Sequence, residues 1–156
     1  MADAIAVRTR PRSFFDGWET GVCAFAIATV LAILTIVLHW RGSDLPAQVF
    51  RADLVRRDGF VVWNSQWFGG HATLAYSVIA PLVGSITGPV ALGALSCIAS
   101  AVLFERILRF AFGRVSVLGA MWFAVGTVTN LIVGRVTFAM GVALGLTAIG
   151  CLRCSA

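Results

Sequence analysis

Four stretches of this 156-residue chain carry no Asp, Glu, Lys or Arg: Thr20 to Trp40, Ala72 to Phe104, Val115 to Gly134, and Val136 to Leu152. A helix needs about 20 mainly apolar residues to cross about 30 Å of hydrocarbon. The first and third stretches suit one crossing each, the second is too long for a single helix, and the fourth is short but usable. Only 12% of the residues are charged, against about 25% in an average soluble domain. Too few charges remain to build a water-facing surface, so lipid is the expected solvent for most of the chain. The predicted fold class is all-α, an integral membrane helical bundle of about four transmembrane helices. The predicted spans are 20–40, 89–108, 115–133 and 136–152, inside a transmembrane domain of 20–156.

The charges themselves exclude one class of partner. The net charge is +5, yet the basic residues, all arginine, sit at the ends of the apolar runs instead of forming one stripe. Nucleic acid is therefore not an expected partner; membrane lipid is. Arg8, Arg10 and Arg12 precede the first run, which is longer than the about 7–15 apolar residues of a signal peptide. No small-x-small site follows His39-Trp40-Arg41, so the segment reads as an uncleaved anchor bracketed by Trp18 and Trp40. The short flank Glu105 to Arg114 holds three arginines and the turn Gly134-Arg135 holds one. By the excess of positive charge on cytoplasmic flanks, the expected placement is a multi-pass protein of the bacterial plasma membrane. Its N-terminal tail, 1–19, is cytoplasmic, and so is its C-terminus.

Proline and glycine punctuate the second stretch. Proline is favoured in the first turn of a helix and breaks its interior, so Pro89 is expected to open a crossing helix. The preceding piece, Leu74 to Thr87, is then roughly 20 Å long at 1.5 Å per residue, too short to cross. Segment 74–88 reads as re-entrant or interfacial; the alternative is one long kinked helix through Pro81 and Pro89. The last two spans are rich in small residues, including Gly141-x-x-x-Gly145, which lets helix backbones approach closely. Gly134-Arg135 reads as a tight turn between antiparallel neighbours, and Asn130 as a hydrogen bond to an adjacent helix. The spans themselves read as free of ionisable side chains.

The polar loop 41–73 lies, by this topology, outside the cytoplasm. Asp44 followed by Pro46 is a helix-start signature and Gly59 a stop, predicting a juxtamembrane helix of about 13 residues. Residues spaced i, i+4, i+7 share one helix face, which aligns Asp44, Gln48 and Arg51. Ala47, Phe50 and Leu54 form a neighbouring apolar stripe. Asp44 also suits a plain helix N-cap. Farther on, Trp63, Trp67 and Phe68 alternate with Asn64, Gln66 and His71. Such a mixture suits a sugar, whose ring faces stack while its hydroxyls bond to amides, and it equally suits an interfacial aromatic belt.

The order Asp44-x-x-x-Gln48, Trp63-Asn64-x-x-Trp67-x-Gly69-Gly70, Tyr76 and Pro81 after a first apolar helix resembles the first extracytoplasmic loop of actinobacterial polytopic proteins of the GT-C type. Those proteins resemble glycosyltransferases that use polyprenyl-phosphate sugars. Asn130-x-x-x-Gly134-Arg135-x-x-Phe138-Ala-x-Gly141 is similar to their helix hairpin. The resemblance implies a catalytic base at Asp44, or a divalent cation held there. Gln48, Arg51, Trp63, Asn64, Trp67 and His71 would contact a polyprenyl-phosphate-linked sugar. Asp53 and Asp58 are the only nearby second carboxylates, and Asp53 is off the Asp44 face. Family enzymes have eight or more spans, and the ending Gly150-Cys151-Leu152-Arg153-Cys154 abandons the preceding pattern. The expectation is an N-terminal part of a glycosyltransferase-like protein from a truncated frame. Alternatives are a transporter fragment and a structural bundle that assembles with partner subunits through Gly141-x-x-x-Gly145. Cys151-x-x-Cys154 finds no further ligands on its side of the membrane, so no structural metal is expected.

Overall fold

A long apolar run has few side chains that can satisfy its backbone, and a helix pairs each N–H with a C=O of the same segment. The computed structural model describes residues 22–67, 69–74, 77–112 and 117–154. Among them the elements are α1 (Val22–Val37), α2 (Leu45–Asp58), β1 (Trp63–Asn64), β2 (Thr73–Leu74), α3 (Ile79–Thr87), α4 (Pro89–Phe112), α5 (Val117–Val133) and α6 (Val136–Cys154). The N-terminal tail with its arginines and Trp18, together with Phe68, Tyr76 and Arg114, lies outside the described residues. Two helices, Pro89–Phe112 and Val136–Arg153, are long and apolar enough to cross a membrane; α1 and α5 are shorter apolar helices.

The four long helices form a bundle in which α4 touches α1, α5 and α6. Its interior is made of small residues: Ala24, Ala28, Ala32, Cys97, Ala101, Ala124 and Ala139 are buried. Many large apolar side chains, among them Ile33, Leu95, Leu118, Trp122 and Leu152, face outward, while Val128 and Leu131 join the small residues in the core. A bundle stabilised by water would place them the other way round. Small side chains bring the helix axes close, so packing rests on dispersion between tightly apposed backbones. At Gly93 an added Cβ would lie 3.0 Å from Leu131 and 3.3 Å from Val136, which ties α4 to both α5 and α6.

Three expectations about the last pair of helices need correction. α6 packs mainly along α4, not along α5. Gly141 and Gly145 have open space where a Cβ would be, so that motif makes no helix contact within the chain. Asn130 does not reach across to a neighbour either. Its Nδ2 donates to Thr127 O of its own helix at 3.0 Å.

Helices α2 and α3 and the short hairpin cover one end of the bundle. α3 and α4 are separate helices, not one kinked helix. Gly88 ends α3 at φ 85°, a conformation that L side chains resist, and Pro89 starts α4 without needing an N–H. Among the described residues of segment 74–88, Leu74 belongs to the strand that pairs with Trp63–Asn64, and the helix runs from Ile79 to Thr87. α2 spans 14 residues and ends at Gly59, whose N–H donates to Val55 O. Its Arg56 Nε donates to Ser85 O at 2.6 Å, fastening α2 to α3.

Candidate functional site

The site is a pocket between α2 and the turn joining α5 to α6. Two glycines make that approach possible. A Cβ on Gly42 would collide with the backbone of Val133, and one on Gly134 with the backbone of Leu45. Gly134 also sits at φ 90°. With no side chains in the way, Asp44 N–H donates to Val133 O at 3.2 Å. The first turn of α2 is thereby fixed against the start of α6.

Asp44 occupies the N-cap position of α2 but makes no side-chain cap hydrogen bond. The cap reading fails because its backbone is already helical, at φ −84° and ψ −18°, and an Ncap residue normally leaves the helical region to aim its oxygen at N2 or N3. The carboxylate instead accepts Arg135 Nε at 3.4 Å on Oδ2 and the Ser43 hydroxyl at 3.4 Å on Oδ1. Both partners of the ion pair are well exposed, 62% for Arg135 and 45% for Asp44. Such a pair is weak and easily exchanged.

One and two turns further along α2, Gln48 and Arg51 are buried. Gln48 Oε1 accepts the Thr137 hydroxyl of α6 at 2.8 Å. Trp67 closes another side, its ring 5.1 Å from that of Phe50. The cavity measures about 470 Å³ and is lined by Ser43, Asp44, Ala47, Gln48, Arg51, Trp67, Arg135, Thr137 and Phe138. That lies within the about 300–1,000 Å³ of small-ligand pockets. Of the residues singled out in the sequence, Asp44, Gln48, Arg51 and Trp67 come together here. Trp63, Asn64 and His71 do not line this wall: Trp63 and Asn64 pair with Leu74 and Thr73 in the hairpin, and His71 is exposed in the loop between its strands.

Compared with known proteins, the chain matches no family model, no curated protein and no solved structure. The chemistry of the site therefore rests on its own residues. Two guanidiniums, an amide, two hydroxyls and an indole surround one carboxylate. This set does not fit a divalent cation, since two arginines line the cavity beside the one carboxylate, and hard cations need several oxygen ligands. Asp53 is held elsewhere by Arg56 at 2.9 Å. The set does fit an anion carrying polar groups, for which arginine is the most suitable partner.

Arg135, Thr137 and Phe138 had no role assigned from sequence. The signal was present in the hairpin motif Gly134-Arg135-x-x-Phe138, which falls on the same side of the predicted topology as the polar loop. A second omission lies at the opposite end of the bundle. The spans are not free of ionisable side chains: α4 continues past Leu108, and Glu105 within it is fully buried. Its Oε2 accepts the Ala24 N–H in the first turn of α1 at 3.1 Å. Its Oε1 accepts Arg109 Nη2 at 2.7 Å and Nε at 2.9 Å.

Proposed function

We propose that this chain is a multi-pass protein of the bacterial plasma membrane, N-terminus in the cytoplasm, whose outer end binds the phosphosugar headgroup of a polyprenyl-linked donor. The observation that carries the proposal is the pocket between α2 and the α5–α6 turn, which Arg51, Arg135 and Trp67 line together with Asp44. Its place at the end of an outwardly apolar bundle is where the polar head of a lipid would lie. Four crossings are supported by the charge-free runs, by the exposed large apolar side chains and by the small-residue interior. Helices α2 and α3 then rest at the interface, on protein, as non-spanning segments must.

In the reaction implied by the glycosyltransferase resemblance, Asp44 takes the proton of an acceptor hydroxyl as that oxygen bonds to the anomeric carbon. The bond from that carbon to the phosphate oxygen breaks, and its electron pair leaves with the polyprenyl phosphate. The arginines neutralise the departing charge, while Trp67 offers its ring to the sugar face. The transport alternative has less support, because the interrupted segment α3 contributes no residue to the pocket wall.

Two measurements test this reading. Membranes washed with alkaline carbonate are expected to retain the chain in the pellet; release into the supernatant would remove the membrane and with it the donor. In detergent micelles, the full chain is expected to bind polyprenyl monophosphate at least about tenfold more tightly than the neutral polyprenol, the value of one charge-assisted contact. Phosphatidylglycerol serves as the competing anionic headgroup. Equal binding of phosphate and alcohol would sink the pocket as an anion site, and preference for phosphatidylglycerol would make it a general lipid contact.

A further inference from the structure

We infer that Arg135 is an exchangeable partner: it pairs with Asp44 until a donor binds and then moves to the donor phosphate, releasing the carboxylate. The inference rests on the headgroup-binding reading above and adds a positioning role that the pocket alone does not imply.

Three observations support it. First, the Arg135–Asp44 contact is long, 3.4 Å through Nε, and not the two-bonded fork that makes arginine–carboxylate pairs durable. Arg109 makes a shorter and more buried contact in the same chain, its Nε and Nη2 both donating to Oε1 of Glu105 at 2.9 and 2.7 Å. Second, the two ends of the contact have unequal freedom. Asp44 is anchored by its backbone hydrogen bond to Val133 and by the glycine contacts on either side. Arg135 is 62% exposed, on a flexible side chain that can swing without moving a helix. Third, Arg135 and Arg51 both line the cavity but come from different elements and differ in burial, Arg51 being only 8% exposed. A phosphate entering beside the buried guanidinium would meet the exposed one at the mouth. The donor's phosphodiester carries one negative charge, as the carboxylate does, but it can meet both guanidiniums that line the cavity, Arg51 and Arg135, at once, and that second charge-assisted contact lets it compete for Arg135. Asp44 is thus paired with Arg135 until a donor binds, and its carboxylate is released to an acceptor hydroxyl once the donor holds Arg135.

The exchange has a signature that a merely structural ion pair lacks. If Arg135 must leave Asp44 to bind phosphate, the carboxylate competes with the ligand, and removing its charge strengthens binding. Polyprenyl monophosphate binding is measured in detergent for the full chain and for Asp44→Asn, Arg135→Gln and the double variant. Arg135→Gln is expected to weaken binding about tenfold, and Asp44→Asn to tighten it about threefold to tenfold. In the double variant the effect of Asp44→Asn disappears, since nothing remains to compete for. Circular dichroism melting of each variant separates loss of the site from loss of the fold. If Asp44→Asn weakens binding while melting like the parent, or if Arg135→Gln binds unchanged, the exchange is wrong although the pocket stands. If the parent chain does not bind the phosphate at all, both readings fall together.

Discussion

Gly134→Val is expected to lower stability by about 3–5 kcal/mol and to abolish the pocket. The position carries two penalties at once. A β-branched residue at φ 90° stands in a region that costs of order 1–3 kcal/mol. Its Cβ would also drive into the backbone of Leu45, and backbone cannot move aside as a flexible side chain does. Relief requires α2 to lift off the α5–α6 turn, which breaks the Asp44 N–H to Val133 O hydrogen bond and separates Gln48 from Thr137. The control is Gly141→Val on α6, where nothing lies within 4 Å of the added carbon; its effect should stay below about 1 kcal/mol. Both are read as midpoints of detergent-solubilised protein followed by circular dichroism. Equal midpoints for the two variants would mean that the close approach at Gly134 does not exist.

The second large effect is expected at the other end of the bundle. Glu105→Ala removes the acceptor of Ala24 N–H and the partner of Arg109 in one step. Breaking a fully buried pair costs about 3–5 kcal/mol, because the remaining charge is left without compensation. Arg109 keeps 23% of its side chain exposed and can turn toward water, so about 2–3 kcal/mol is expected. Glu105→Gln should fall between Ala and the parent, since an amide oxygen can still accept from Ala24 but carries no charge for Arg109. A double-mutant cycle with Arg109→Ala isolates the pair: coupling near zero would mean that the carboxylate serves only the α1 backbone. An unchanged midpoint for Glu105→Ala would contradict the burial itself.

How much of this was legible depended on whether the signal was local. Helix α2 and its stop at Gly59 followed from proline, glycine and periodicity, as did the break before Pro89. Each of these acts through backbone geometry within a few residues. The shared face of Asp44, Gln48 and Arg51 was likewise a consequence of helical spacing. Glu105 falls inside the predicted span 89–108, yet in the sequence it reads as part of the charged flank Glu105 to Arg114. Only the bundle shows that the first turn of α1 comes close enough to donate to it. Asn130 and the small residues of α6 were misjudged for a related reason: polar or small side chains in an apolar helix fit a neighbouring helix, but periodicity does not say whether one is there.

What the amino-acid order determined alone is the all-helical character, the places where helices begin and end, and the concentration of polar chemistry in one loop. Those properties depend on hydropathy, proline and glycine, which act along the chain. What only the tertiary structure decided is that Arg135, 91 residues after Asp44 in sequence, completes the same pocket. That neighbourhood exists because two glycines let backbones meet where any larger residue would hold them apart, and close approach between distant segments leaves no periodic trace in a sequence.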